Sequence, residues 1–470
     1  MVFSSAVFLF VFFPLTMVIY FISGRKAEND MSRKNLILCI ASLIFYAWGE
    51  PLYIVLMCLS IVFNFHLGLD MEENRSDRKK MKQLLIFGIV FNLFLLGFFK
   101  YSGFVVENIN SIFGSKIDYE GLPLPVGISF YTFQILSYVI DVYKGVVRAQ
   151  TKIVNFGAYI SMFPQLIAGP IVQYKDIEKQ LNERTITIDC FYEGIIYFIR
   201  GLGKKVLFAN TIGAVYTDIS SGGFSDVSAV TAWICIICYT LQIYFDFSGY
   251  SDMAVGLGKM FGFEFVQNFN FPYMANSIKD FWGRWHISLS SWFRDYVYIP
   301  LGGNRKGLGR TIFNTFVVWA LTGLWHGAAW NFIAWGMFYG VLLIAEKYLL
   351  DGVLEKIPVV LRHIGTLIVV MIGWVFFSSS SLSEAMEFIG ALLGMGGSFI
   401  DNQAKFLLSE NLFAIFAMGL SAAGVYDIIA TREETRVYKA FRCAMYFIIF
   451  ILCIAYLVSE TYNPFLYFRF

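Results

Sequence analysis

Charged residues are scarce in this sequence. Only 15% of its 470 residues are Asp, Glu, Lys or Arg, whereas a soluble globular protein carries about 25%. Hydrophobic residues make up 57%, and apolar runs of roughly 18 residues, long enough for a helix to cross a bilayer, recur along the chain. The composition excludes a soluble domain. It predicts an all-α, polytopic membrane protein with about ten to twelve transmembrane helices and additional re-entrant and interfacial helices.

Cysteine and histidine are too few or too scattered for several kinds of site. The seven cysteines are dispersed, and the pair Cys235 and Cys238 lies inside an apolar segment, where cysteine usually packs as a small hydrophobe. Four histidines spread along the chain predict no metal site. The sequence has no G-x-S-x-G elbow, Walker A loop or H-E-x-x-H pair. We expect no bound cofactor, no metal and no nucleic-acid partner.

The positions of lysine and arginine predict the orientation of the chain. Loops rich in these residues stay on the cytoplasmic side of a membrane. Basic residues within 25–34 therefore place the N-terminus outside, and those within 432–442 place the tail 459–470 outside. The first span, Met1–Ile22, has no cleavage signal and should be retained. We predict one membrane domain over 1–470, with N-terminal helices at 1–120, a core at 121–350, C-terminal helices at 351–458 and the tail.

Several apolar segments contain residues that break helices. We predict a helix over Leu84–Phe99 and then an outer loop over residues 102–121. Proline and glycine at the start of Leu122–Tyr143 predict a broken helix, which a membrane tolerates only where the backbone is buried in protein or lines a cavity. Ile153–Val172 has basic flanks and internal breakers, so it is predicted to be re-entrant.

A further apolar segment leads into a polar motif. Val227–Phe247 is long enough to cross a membrane, and residues 246–252 read DFSGYSD. The carboxylates of Asp246 and Asp252 would lie at membrane depth or at its edge, where charge is costly. Their presence favours a water-filled cavity.

Residues 279–335 combine polar, titratable and aromatic side chains in an otherwise apolar chain. They include two of the four histidines. As one helix, Lys279–Tyr296 places its large aromatic residues on one stripe and its polar residues opposite. We therefore predict an amphipathic helix at the inner interface or lining an inward-facing funnel. His286 lies at the rim of the stripe, where it can face a polar cavity; an interfacial structural histidine is the alternative.

The second histidine of this stretch follows a long apolar run. A helix starting near Thr311 reaches His326 after about 15 residues, or roughly 22 Å. His326 should therefore lie deep in the membrane, where burial keeps its imidazole neutral and able to accept a proton. A lone buried histidine is usually structural, but His286, Asn331 and Asp246 favour a functional one. A histidine base in a membrane suits activation of a hydroxyl group for acyl transfer.

The motifs around these residues resemble those of a known family. They are RWHISLS at 284–290, WFRDY at 292–296, LWHG at 324–327, PVGISFYTFQ at 125–134, QLIAGP at 165–170 and DFSGY at 246–250. They are similar to the motifs of the membrane-bound O-acyltransferase family in its bacterial polysaccharide branch, and the resemblance extends over nearly the whole chain. It implies that His326 is the family's essential histidine and His286 its second one.

The last six residues form another motif. FLYFRF at 465–470 resembles the F-x-Y-x-x-F ending of a small one-helix partner of the D-alanylating relatives, in which the tyrosine is proposed as an acyl relay. The resemblance implies that Tyr467 is such a relay. An aromatic anchor at the membrane interface explains the same residues equally well.

The resemblance implies an O-acyltransferase in a bacterial plasma membrane. We expect it to move an acyl group across the membrane toward a cell-surface or secreted polysaccharide. The expected group is acetyl, taken from acetyl-CoA at the cytoplasmic mouth. A tunnel or substrate-binding surface is predicted from Asp246, Tyr250, Arg284, Trp285, Trp292, Arg294, Asp295, Trp325 and Asn331. His286 and Asn331 are predicted to stabilise the oxyanion. Lys204, Lys205, Arg305, Lys306 and Arg310 offer a phosphate-binding surface, although the orientation rule explains them equally well.

Expected partners are membrane lipids, an extracytoplasmic acetyltransferase of the serine-hydrolase type and polysaccharide export machinery. Three alternatives remain at the level of sequence. They are D-alanyl transfer to teichoic acid, transport of a polysaccharide or lipid-linked sugar, and a non-catalytic scaffold for the partner.

Overall fold

The computed structural model describes residues 1–23, 31–425, 435–459 and 465–466. Within them the chain is helical and contains no strand, so the predicted all-α class is confirmed. Two compact units are present: unit 1 consists of Met1–Phe198 and Tyr250–Val266, and unit 2 consists of Ile199–Gly249 and Gln267–Phe470.

The described residues of unit 1 form eight helices and parts of two others. A π-helical turn at Phe8–Phe12 precedes α1 (Phe13–Ser23), α2 (Met31–Gly49), α3 (Tyr53–Glu73), α4 (Arg78–Phe113), α5 (Ile128–Lys144), α6 (Ile153–Ser161), α7 (Phe163–Leu166) and α8 (Tyr174–Asn182). Two further helices, α9 (Ile188–Gly203) and α11 (Ala229–Met260), each begin in one unit and end in the other.

Unit 2 contains the remaining elements. They are a π-helical turn at Lys204–Ala209, α10 (Asn210–Ser220), a 3-10 turn at Pro272–Met274, α12 (Ile278–Arg284), α13 (Ile287–Phe293), a π-helical turn at Arg294–Tyr298, α14 (Leu308–His326), α15 (Trp330–Tyr348), a 3-10 turn at Leu354–Lys356, α16 (Val359–Ser378), α17 (Leu382–Leu392), α18 (Asn402–Ala422) and α19 (Arg436–Ser459).

Six described helices are long and apolar enough to cross a membrane. They are α3, α4, α11, α16, α18 and the Val437–Ser459 part of α19. This supports the predicted polytopic class. The number is below the predicted ten to twelve because several apolar runs fold as shorter helices, such as Phe8–Ser23, or are interrupted by polar residues.

The fourth helix is longer than predicted. α4 runs for 36 residues to Phe113, so the predicted outer loop is wrong for residues 102–113. Asp77 caps the helix by accepting hydrogen bonds from two backbone N–H groups of its first turn. The helix ends at Gly114, whose φ of 62° is the left-handed conformation that glycine adopts without steric cost. A few polar residues in the last turns do not stop a helix that lacks such a signal before residue 114.

Of the two segments of unit 1 with predicted helix breakers, the second lies in buried backbone. The segment before α5 is not helical, and α5 begins at Ile128. The predicted re-entrant segment forms two short helices, α6 and α7, which meet at Met162. Every residue from 155 to 174 is buried. The irregular backbone is therefore enclosed by protein, as a membrane environment requires.

In unit 2, α14 and α15 approach each other closely. Gly323 of α14 lies against the carbonyl group of Phe332, and Gly336 of α15 lies against that of Trp319. A methyl group at either glycine would overlap the facing carbonyl oxygen. This close contact holds the C-terminal end of α14, where His326 lies, against the side chains of α15.

Candidate active site

The predicted amphipathic helix over Lys279–Tyr296 is wrong as a continuous element. α12 ends at Arg284, and Trp285 is extended with φ of −101° and ψ of 129°. His286 has φ of 46° and ψ of 54°, which is the left-handed region, and α13 starts only at Ile287. The chain therefore makes a sharp turn at the histidine.

This turn is held by a segment about twenty residues earlier in the chain. The carbonyl oxygen of Asn268 accepts a hydrogen bond from the N–H of Ile287 at 3.0 Å, and its side-chain oxygen accepts one from the N–H of Ser288 at 3.1 Å. Asn268 thus satisfies two of the N–H groups that the first turn of α13 leaves free. These bonds offset a backbone conformation that costs of order 1–3 kcal/mol in a residue other than glycine.

His286 is enclosed by aromatic side chains. It is 1% exposed, and its ring meets the ring of Phe247 edge-on, with the centroids 4.7 Å apart. Neither ring nitrogen has a hydrogen-bond partner among the described residues. Burial lowers the pKa of the imidazole from 6.5 to about 3, so the ring is neutral at physiological pH. A neutral imidazole carries one N–H donor and one acceptor, both of which can serve a substrate.

His326 is the last residue of α14 and is 2% exposed. Its ring is edge-on to the indole of Trp335, with centroids 5.0 Å apart, and to the ring of Phe377 at 5.1 Å. The backbone leaves the helix in an extended conformation at Gly327. The ring therefore has a fixed aromatic surround supplied by α15 and α16.

Trp325 connects the two histidines. Its ring centroid lies 6.0 Å from that of His286 and 5.0 Å from that of His326. One indole therefore contacts both imidazoles, although they are 40 residues apart in the chain. This brings together three of the residues that the sequence predicted for the site.

Asn331 is buried, and its amide nitrogen is already engaged. The NH₂ group donates to the backbone oxygens of Phe376 at 3.2 Å and Ser379 at 2.8 Å. Its side-chain oxygen is buried with no hydrogen-bond partner among the described residues. Asn331 therefore offers an acceptor to a ligand, whereas the predicted oxyanion role would need a donor.

Asp246 and Tyr250 lie on the same helix but belong to different units. Asp246, in unit 2, is 1% exposed and forms an ion pair with Lys205, in which the ammonium nitrogen is 2.6 Å from Oδ1. Tyr250, in unit 1, stacks on Phe3 with a centroid distance of 4.6 Å. The suggestion that Lys205 offers a phosphate-binding surface is wrong, because its side chain is buried against this carboxylate.

The other predicted tunnel residues have varied surroundings. Trp285 is buried and packs on Trp374 at 4.8 Å, and Trp292 is buried beside Tyr296 at 5.3 Å. Two arginines form ion pairs nearer the surface: Arg284 with Asp280 at 2.8 Å and Arg294 with Asp295 at 2.7 Å. Tyr467 lies outside the described residues.

Four residues of this region were not predicted as site residues. They are Phe247, Asn268, Trp335 and Phe377. Lys205 was predicted only as part of a phosphate-binding surface, and not as the partner of Asp246. A signal existed for Lys205, because a carboxylate buried in a membrane helix needs a basic partner. None existed for Asn268 or Phe377, because the helical period of a segment carries no information about residues that pack on it from elsewhere.

Comparisons with known proteins found a protein family and several relatives that match this chain. The sequence model of the membrane-bound O-acyltransferase (MBOAT) family matches residues 10–383, which include both histidine motifs. A probable alginate O-acetylase of Pseudomonas putida is 38% identical, over 100% of both chains. A peptidoglycan O-acetyltransferase of Helicobacter pylori is 36% identical, covering 86% of this chain and 82% of its own. A teichoic acid D-alanyltransferase of Bacillus subtilis is 29% identical, covering 53% of this chain and 68% of its own.

Proposed function

Because this chain belongs to the membrane-bound O-acyltransferase family and is an acyltransferase, we propose that it O-acetylates a cell-surface or secreted polysaccharide. Relatives at 36–38% identity are named as O-acetylases of alginate and peptidoglycan. The D-alanyltransferase is less similar, at 29% over about half of this chain. This order supports acetyl over D-alanyl as the transferred group. The family assignment favours an enzyme over the transporter and scaffold alternatives.

In the proposed reaction, His326 acts as general base. A neutral imidazole nitrogen accepts the proton of the attacking hydroxyl group, and the hydroxyl oxygen forms a bond to the thioester carbonyl carbon. The carbonyl electrons move to oxygen, and the resulting oxyanion accepts a hydrogen bond from the N–H of neutral His286. When the carbonyl re-forms, the carbon–sulfur bond breaks, and the imidazolium returns its proton to the departing thiolate.

The aromatic surround has a role in this scheme. Trp325, Trp335 and Phe377 pack around the base, which is 2% exposed. Exclusion of water protects the thioester and strengthens the hydrogen bond to the oxyanion.

The same proposal includes the acyl donor, the orientation in the membrane and the acceptor. Acetyl-CoA, or another acyl thioester, would enter from the cytoplasm, and the chain would span a bacterial plasma membrane with both termini outside. The acceptor would be Tyr467, a polymer hydroxyl group, or a serine of an extracytoplasmic acetyltransferase that works with polysaccharide export machinery. Asp246, Tyr250, Arg284, Trp285, Trp292, Arg294 and Asp295 are retained as candidates for the lining of the path.

The observation that carries the proposal is the contact of two buried histidines with one indole. The test is incubation of the purified protein with isotopically labelled acetyl-CoA, followed by mass spectrometry of the peptides and of free CoA. We expect release of CoA and a labelled acetyl group on the protein or on added polysaccharide. If no CoA is released but a D-alanyl carrier thioester is turned over, the proposed activity would be D-alanyl transfer and not acetyl transfer. Turnover of neither donor would contradict the proposal.

A further inference from the structure

A buried ion pair in unit 2 contacts the C-terminal tail. Lys205 and Asp246 are 3% and 1% exposed, and Asp246 lies within α11, a helix apolar enough to cross a membrane. An ionisable residue in such a helix is costly and usually serves a function. Burial of an ion pair also gains little stability over apolar residues of similar size. Stability alone is therefore a weak reason for these two residues.

The two oxygens of the Asp246 carboxylate have different partners. Oδ1 lies 2.6 Å from the ammonium nitrogen of Lys205. Oδ2 accepts a hydrogen bond at 2.8 Å from the backbone N–H of Leu466, which is 220 residues further along the chain. Both partners are donors, so only a side chain with two acceptor atoms satisfies both. A carboxylate meets this requirement, and an amide does not.

The lysine contributes a second contact to the tail. Its ammonium nitrogen lies 5.9 Å from the ring centroid of Phe465, within the range of a cation–π attraction. Phe465 is itself 9% exposed. The pair thus contacts two consecutive residues of the tail, one by its backbone and one by its ring.

We propose that Lys205 and Asp246 are positioning residues that anchor residues 465 and 466 of the tail. The anchoring itself depends only on the contacts above. Its value for acyl transfer rests on the proposed function, in which Tyr467 is a relay. In that case, a tethered tail would present the hydroxyl group of Tyr467 to the acyl donor at a high effective concentration, whereas a free tail would not.

The test measures the tail directly. Purified full-length protein in detergent is treated with a carboxypeptidase, and the loss of Leu466 is followed by intact-protein mass spectrometry. Asp246→Asn should speed this loss at least about tenfold, because a hydrogen bond to a charged group is lost. Asp246→Glu keeps two acceptors and should restore much of the protection. If Asp246→Asn loses Leu466 at a rate within twofold of that of the unmodified protein, the proposal is overturned.

Two further variants separate anchoring from general damage. In Lys205→Met/Asp246→Leu both charges are replaced by apolar side chains, so no lone charge is left buried. This protein should unfold at about the same temperature as the unmodified protein and still lose the tail at the faster rate. The control is Lys259→Met, which breaks the Lys259–Glu193 pair of unit 1 and should leave the digestion rate unchanged. Equal acceleration by Lys259→Met would also overturn the proposal.

Acetyl transfer by the same variants links the anchor to function. If Tyr467 is a relay, transfer to polymer should fall in the double variant while its unfolding temperature is retained. Digestion needs no substrate, so a released tail with unchanged transfer would sustain the anchor and contradict the relay. An unreleased tail would contradict the anchor whatever the activity.

Discussion

The ring of His286 stands at 70° to the indole of Trp325, with the two centroids 6.0 Å apart. The same indole also contacts His326. Substitutions at any of these three residues are therefore expected to be coupled in their effects on activity. The two histidines nevertheless have separate roles in the proposed reaction, and different measurements distinguish them.

His286 should make the stability of the protein depend on pH. Burial lowers its pKa from 6.5 to about 3, so between these values the unfolded chain binds a proton that the folded protein does not. The contribution of His286 to the free energy of unfolding is therefore largest above pH 6.5, and it falls as the pH falls through this window. At pH 5 the loss from this group is about 2 kcal/mol.

The matched variant is His286→Asn, because asparagine tolerates the left-handed backbone better than most residues. The free energy of unfolding, measured by denaturant titration in micelles at pH 7 and pH 5, should depend less on pH in this variant. An unaltered pH dependence would show that His286 is not buried in its neutral form.

His326→Ala should lower acetyl transfer by about 10²–10⁴-fold, the usual contribution of a general base. Release of labelled acetate or transfer to polymer provides the measurement, and size-exclusion chromatography checks the fold. His66→Ala is the matched control because His66 lies on the exposed side of α3. Normal transfer by His326→Ala would exclude His326 as the base.

Tyr467→Phe removes one hydroxyl group and keeps the aromatic ring. If Tyr467 relays the acyl group, transfer to polymer should be abolished and no labelled peptide should contain residue 467. If the residue is only an interfacial anchor, phenylalanine should support full activity. Peptide mass spectrometry and the transfer assay together decide between the two.

Gly323→Ala should destabilise unit 2, because the added methyl group would overlap the carbonyl oxygen of Phe332. Overpacking of this kind costs about 1–3 kcal/mol, and the displacement of α14 should also lower acetyl transfer. Gly309→Ala, on the same helix, meets no atom within 4 Å and should leave stability unchanged or raise it by up to about 1 kcal/mol. Thermal unfolding of both variants makes the comparison. Equal unfolding temperatures would show that α14 and α15 are less tightly packed than described.

The sequence predicted the features that depend only on neighbouring residues in the chain. Apolar length and breaker residues predicted the helical membrane class and the buried irregular backbone around Met162. The same rules misplaced the end of α4, because they counted polar residues as a loop when only Gly114 supplies a stop.

The site was predicted less completely than the class of fold. Helical periodicity placed the large aromatic residues of 279–296 on one stripe, but it also drew a continuous helix through His286. Asn268 holds this interruption by accepting hydrogen bonds from the N–H groups of Ile287 and Ser288, and it lies about ten residues before the predicted helix begins. Such contacts, like that between Asp246 and Leu466, join residues that are far apart in the chain. No periodic pattern in the sequence predicts them.

The left-handed backbone at His286 has a consequence for the proposed reaction. Its imidazole is held by a turn that Asn268 closes, and the rings of Phe247 and Trp325 pack against it. The ring therefore has little rotational entropy left to lose when a substrate arrives. In the proposed reaction, this group therefore needs almost no reorganisation on the approach to the transition state.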